Sequence, residues 1–154
     1  MKNTNAQHAL KHHNPTALFN PTPFGFCHSV SAPSSGELVF ISGQSGGEDL
    51  DHTLSHDFSR QVEFTLKNLG IALAEYGLQF EDIVKITVLI VDHNADKLAI
   101  WSDAVSRTWD PAHLPASTLI PVPALALKGM QIEVDAIAFK AHDRETVMSE
   151  SLAE

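Results

Sequence analysis

Nine consecutive residues, IVKITVLIV at 83–91, hold no glycine or proline and are mostly β-branched, so they form a strand in any fold this chain adopts. Alternation puts Val84, Ile86, Val88 and Ile90 on one face and Ile83, Lys85, Thr87, Leu89 and Val91 on the other. The first face is fully apolar and has to meet helices. The second is too apolar for open water and too polar for an ordinary core, the composition of a surface covered by another subunit.

Two helical stripes flank this strand. In HDFSRQVEFTLKNLGIALAEYG, Phe58, Val62, Leu66, Leu69, Leu73 and Tyr76 recur at spacings of three and four, and Gly77 stands where a left-handed cap is wanted. In NADKLAIWSDAVSRTWD, Leu98, Trp101, Val105 and Trp109 share one stripe, with Asn94 or Asp96 as N-cap and Pro111 just past the end. Upstream, ELVFISG follows the turn-forming APSSG and reads as a strand, with GFCHSV expected to pair with it as a hairpin. Downstream, LPASTLIPVPAL and QIEVDAIAFK close the chain as two strands around the Lys128-Gly129 turn. The expected order is β-β-α-β-α-β-β, an α/β class. Pro121 and Pro123 lie two apart and remove donors from the same lateral edge of their strand. That strand therefore pairs on one side only, leaving its Ser117-Thr118 head beside an unpaired opening.

A length of 154 residues fits one domain that buries a core without disulfides or metal. Residues 1–22 are polar, rich in Asn and His and punctuated by proline, and 141–154 are charged and aperiodic; both are expected to be tails. Cys27 is the single cysteine and no basic stretch leads into a long apolar one, so a reducing, cytoplasmic setting is expected. No apolar run approaches the ~20 residues of a membrane helix. With 10 Lys and Arg against 19 Asp and Glu, the net charge of −9 repels phosphate backbones and anionic membranes. Nucleic acid and membrane are not expected partners.

Several constellations carry a possible chemistry beside a plain structural one. His8, His12 and His13, or His52 and His56, have spacings that suit a metal, but neither set brings a third ligand, so no metal or cofactor is expected. Glu133 and Asp135 share one face of the last strand, where like charges split their pKa values into an acid/base pair or simply meet solvent or a subunit. Cys27 has no neighbouring Lys or Arg and reads as a small buried hydrophobe. SGQSGG, at 42–47, offers amides and hydroxyls to an anion but lacks the lysine and spacing of a phosphate loop.

FISGQ, Gln61 with the NL of the first helix, EDIVKITVLIVD, LPAST and QIEVDAIA, in that order, resemble the RidA/YjgF reactive-imine deaminase family. The resemblance runs from about Gly25 to Lys140 and implies a RidA-like domain over 23–140. It implies a chorismate-mutase-like α/β subunit, a homotrimer, and small-molecule clefts between subunits. In deaminating members an arginine at the head of the fourth strand grips the carboxylate of a 2-imino acid, while backbone groups and a glutamate position the attacking water. Where the family writes PAR followed by Ser or Thr, this chain has Pro115-Ala116-Ser117-Thr118, so Ser117 stands for the arginine. Phe26 stands for a tyrosine, and Glu133 matches the water-orienting glutamate.

Losing a forked charged hydrogen bond, about 1.5–3 kcal/mol, costs roughly ten- to several-hundred-fold in substrate capture. The implied ligand site then comprises Phe26, His28, Ser42, Gly43, Gln44, Ser117 and Thr118, suited to a neutral polar or weakly anionic metabolite. His28 or His113 is the candidate substitute cation. The expected function is small-metabolite binding with enamine/imine deaminase activity weak or lost. The alternatives are an active deaminase, a hydrolase with a substitute carboxylate-binding group, and, disfavoured by charge, an endoribonuclease.

Overall fold

The computed structural model describes residues 10–142; residues 1–9, with His8, and 143–154 lie outside the described residues. The strand at 83–91 is an interior strand of a four-stranded sheet. In chain order the elements are β1 (Lys11–His13), β2 (Ser29–Ser31), β3 (Gly36–Ser45), α1 (Phe58–Ala74), β4 (Ile83–Val91), α2 (Ala95–Thr108), β5 (Ala116–Val122) and β6 (Ile132–Ala141). The main sheet runs β3-β6-β4-β5, with β4 antiparallel to β6 and parallel to β5; β1 and β2 form a separate antiparallel pair. This is a mixed α/β domain of two helices on one sheet.

Ile86, Val88 and Ile90 are fully buried against the helices, as their alternation requires. Ile83 departs from that pattern, because it too is fully buried, on the face expected to be mixed. The β4–β6 register shifts between Ile83 and Lys85, and an inserted residue reverses the alternation on its far side. The other inward-facing positions, Val39, Ile41, Val134, Ala136 and Ala138, complete the sheet side of the core.

Both helices follow their stripes. Asp57 caps α1 by accepting from the Ser59 N–H, and Asn94, the first of the two expected caps, accepts from the Lys97 N–H. Gly77, at φ 69°, adopts the left-handed conformation and donates to the Ala74 carbonyl, which leaves Tyr76 outside the helix and exposed. Leu66, Leu69 and Leu73 of α1 and Trp101 and Val105 of α2 enter one core.

The expected hairpin of GFCHSV with ELVFISG does not form. Ser29–Ser31 pairs with Lys11–His13, inside the stretch expected as a tail, while β3 pairs with β6 at the opposite edge of the main sheet. The cause is the edge of β5: the Cys27 N–H donates to the Pro115 carbonyl at 3.0 Å, and Cys27 forms a parallel bridge with Ala116. Leu10 is buried and the His12 Nδ1–H donates to the Leu114 carbonyl, so residues 10–13 are fastened to the same edge. β5 and β6 do not pair around Lys128-Gly129, since β4 lies between them. No helix among the described residues is long and apolar enough to cross a membrane.

Candidate functional site

β5 has β4 on one side, and along its full length Pro121 helps keep the other edge from extending. Among the described residues a second segment docks at its head alone, through Cys27, and this places Phe26 beside Ser117. The result is a cleft of about 320 Å³ lined by Phe19, Phe24, Phe26, Leu98, Trp101, Ser117 and Leu119. Register explains why Ser117 belongs to it: Ser117 lies opposite the fully buried Ile86, and Leu119 opposite Val88, so both point to the helix side. Leu98 and Trp101 reach the same space from α2.

Thr118 points the other way. On the open face of the sheet its hydroxyl accepts from the Lys85 ammonium at 2.7 Å, and Lys85 also donates to the Ile86 carbonyl. Burial lowers the Lys85 pKa, against the opposing pull of the Asp135 carboxylate. Asp135 accepts from the Thr87 N–H at 3.2 Å, so Lys85, Thr87, Thr118 and Asp135 form one polar patch beside Leu89.

Ser42, Gly43, Gln44 and Glu133 assemble separately. The β3–β6 register shifts between Ile41 and Gln44, and the bulged Gly43 lies under the Glu133 carboxylate, with no room for a Cβ. The Gln44 amide donates to the Ser42 carbonyl. Within one chain Glu133 faces the open side with Leu89, while Ser117 faces the helices; β4 lies between their strands. At about 4.8 Å per strand their backbones are at least roughly 10 Å apart. One chain thus holds two separate clusters: Phe26 with Ser117, and Ser42–Gln44 with Glu133.

The histidines occupy supporting places. The His28 Nε2–H donates to the Phe19 carbonyl at 2.9 Å, and its N–H donates to Asn14 Oδ1, so His28 backs the aromatic wall of the cleft. His113 packs edge-on against His12, ring centres 5.6 Å apart, and does not line the cleft. Burial pushes the Cys27 thiol pKa up and the His12 pKa down, so Cys27 is a buried thiol rather than an activated nucleophile. His52 joins Ser45 through a short 2.5 Å hydrogen bond, and exposed His56 accepts through its carbonyl from the Gln131 side chain.

Phe19, Phe24, Leu98, Trp101 and Leu119 were not legible as cleft residues. Leu98 and Trp101 carried only a core signal, and Phe19 and Phe24 lay in or beside a stretch without periodicity. A run of three phenylalanines in eight residues, Phe19 to Phe26, is the one sequence cue to them.

A sequence model of the family described as Endoribonuclease L-PSP matches residues 24–140. The 2-iminobutanoate/2-iminopropanoate deaminase of Rattus norvegicus is 34% identical over 101 residues, 65% of this chain and 71% of that protein. The RutC family protein YjgH of Escherichia coli is 41% identical over 66 residues, 42% of this chain and only half the length of that protein. Among solved structures, the conserved Rid family protein YyfB of Yersinia pestis superimposes with a TM-score of 0.79 at 29% identity, over 85% of this chain and 98% of that one.

Proposed function

Because the chain belongs to the RidA/YjgF family, we propose that it is a trimeric small-metabolite-binding protein whose enamine/imine deaminase activity is weak or lost. One observation carries this reading: among the described residues of one subunit, no cationic side chain lines the cleft at Ser117, where a carboxylate would need a fixed cation. A carboxylate moved from water into a site lined by four aromatic rings and two leucines is left without a partner. The two clusters suit an interfacial cleft, with Phe26, His28 and Ser117 from one subunit and Ser42, Gly43, Gln44 and Glu133 from the next; Thr118, on the opposite face of the sheet, stays outside it. Glu133 there orients a water, as in a hydrolase, and the ligand is held by hydroxyls and amides. The site requires no cofactor. The single buried Cys27 suits a cytoplasmic setting.

The decisive measurement is release of ammonia or keto acid from a freshly generated 2-imino acid, over the spontaneous rate. Wild type and Ser117→Ala should barely exceed background, and Ser117→Arg should recover part of the activity by restoring the forked donor. Fast deamination by wild type that survives Ser117→Ala would instead favour an active deaminase with another carboxylate-binding group. His28 is then the nearer candidate, since its ring meets that of Phe26 edge-on at 5.8 Å.

A further inference from the structure

We propose that the cleft at Ser117 selects an uncharged aromatic ring bearing one hydrogen-bonding group, with Phe19 and Phe24 as its specificity-determining residues. The proposal rests on the reading of that cleft as the ligand site and names the chemistry of its occupant.

Phe19 precedes the matched family region and Phe24 is its first residue, so this wall is built largely by the arm of this chain. The arm is held, not draped. Asn20 Oδ1 accepts from the Thr22 N–H, the Phe24 N–H donates to the Pro21 carbonyl, and the Gly25 N–H donates to the Thr22 carbonyl. Gly25, at φ 78°, then turns the chain so close to α2 that a Cβ would press on Val105 at 2.8 Å. With His28 donating to the Phe19 carbonyl, the rings take fixed mutual positions.

Those positions form a herringbone. Phe19 meets Phe24 at 5.9 Å and 84°, Phe26 at 6.1 Å and 71°, and His28 at 5.2 Å and 84°. Perpendicular packing at these separations is what aromatic quadrupoles prefer, and a further planar ring extends it against Trp101. Yet Phe19 is 60% and Phe24 49% exposed, aromatic surface that nothing in the described residues covers. The cleft volume of about 320 Å³ is at the lower end of ligand sites, roughly 300–1,000 Å³, and suits one or two fused rings. Ser117 supplies the single hydroxyl, able to donate or accept one hydrogen bond. Among the described residues of one subunit no charged side chain is in the lining, and the Glu133 that the next would bring is itself an anion, so an ionised acid loses hydration without compensation, which excludes aromatic acids in their charged form.

The two tryptophans provide the test, because Trp101 lines the cleft whereas Trp109 is buried against Phe80 and donates its indole N–H to the Phe80 carbonyl. The 154-residue chain labelled with 5-fluorotryptophan is titrated with 4-methylphenol, 4-methylbenzoate, cyclohexanol and 2-oxobutanoate, and both fluorine resonances are followed. Saturable movement of the Trp101 signal alone is expected with 4-methylphenol, at a Kd at least tenfold below those of 4-methylbenzoate and cyclohexanol. Phe19→Ala and Phe24→Ala should each weaken it about tenfold without moving the Trp109 resonance. Movement of Trp101 by 2-oxobutanoate but not by 4-methylphenol would overturn the aromatic class and leave the site reading standing. No movement with any probe would overturn both. Loss of subunit assembly in Phe19→Ala would assign the exposed rings to a subunit contact and overturn the proposal.

Discussion

Gly43 lies directly beneath the carboxylate of Glu133, so close that any side chain at 43 would occupy the space of that carboxylate. The two residues meet because a bulge in β3 brings Gly43 against β6, and the constraint is steric, since Gly43 is not in the left-handed region.

Gly43→Ala is therefore expected to displace the Glu133 side chain at a cost of about 1 kcal/mol, the scale of an off-rotamer side chain. Adding Glu133→Ala removes the collision, so the double variant should be more stable than the two single changes predict. Urea midpoints of the four proteins measure this coupling; simple additivity would show that the two groups do not touch.

Gln61 is fully buried and ties three segments together. Its amide donates to the Ser55 and Gly129 carbonyls at 2.7 and 2.8 Å, and its Oε1 accepts from the Gln131 N–H at 2.9 Å. Gln61→Met keeps the volume but strands these groups, at about 1–3 kcal/mol for each one left unpaired. Denaturant unfolding should show a loss of roughly 3 kcal/mol or more, and a loss below about 1 kcal/mol would contradict the network.

The arm should loosen in acid. His12 donates through Nδ1 to the Leu114 carbonyl while its Nε2 is buried without a partner. Burial, with nearby His113 and His13, lowers its pKa from the ordinary 6.5, against the Leu114 carbonyl, which favours the charged form. The folded state then binds fewer protons than the unfolded one, so this contribution is complete above pH 6.5 and is lost as pH falls through the lowered value. Protection factors of the β1–β2 amides, which correct for the slower intrinsic exchange in acid, should fall as pH drops below 6.5 in wild type, and His12→Gln should flatten that dependence.

The open sheet face should be a subunit contact. Phe40 is 71% and Ile120 41% exposed there, and Leu89, opposite Ile120, is half-buried. Light scattering is expected to give three times the chain mass for wild type and a single chain for Leu89→Arg, with unchanged far-ultraviolet dichroism. A wild type that runs as a monomer would remove both the trimer and the interfacial site.

Periodicity made the two helices, the alternation of β4 from Ile86 onward and the α/β class legible from the sequence, because each residue's face depends only on its neighbours three, four or two positions away. The prolines marked β5 as an edge for the same local reason. Other features depend on contacts between distant segments. The bulges at Ile41/Gln44 and Ile83/Lys85 exist only relative to β6, and they decide that Gly43 lies under Glu133 and that Ile83 is core. The insertion of β6 between β3 and β4 is a choice of pairing partner, to which local alternation is blind. The cleft follows from one docking event, Cys27 onto Ala116, across almost ninety residues of chain. That contact turned an expected tail and hairpin into the aromatic wall beside Ser117, and register with β4 alone decided that Ser117 faces it while Thr118 faces Lys85.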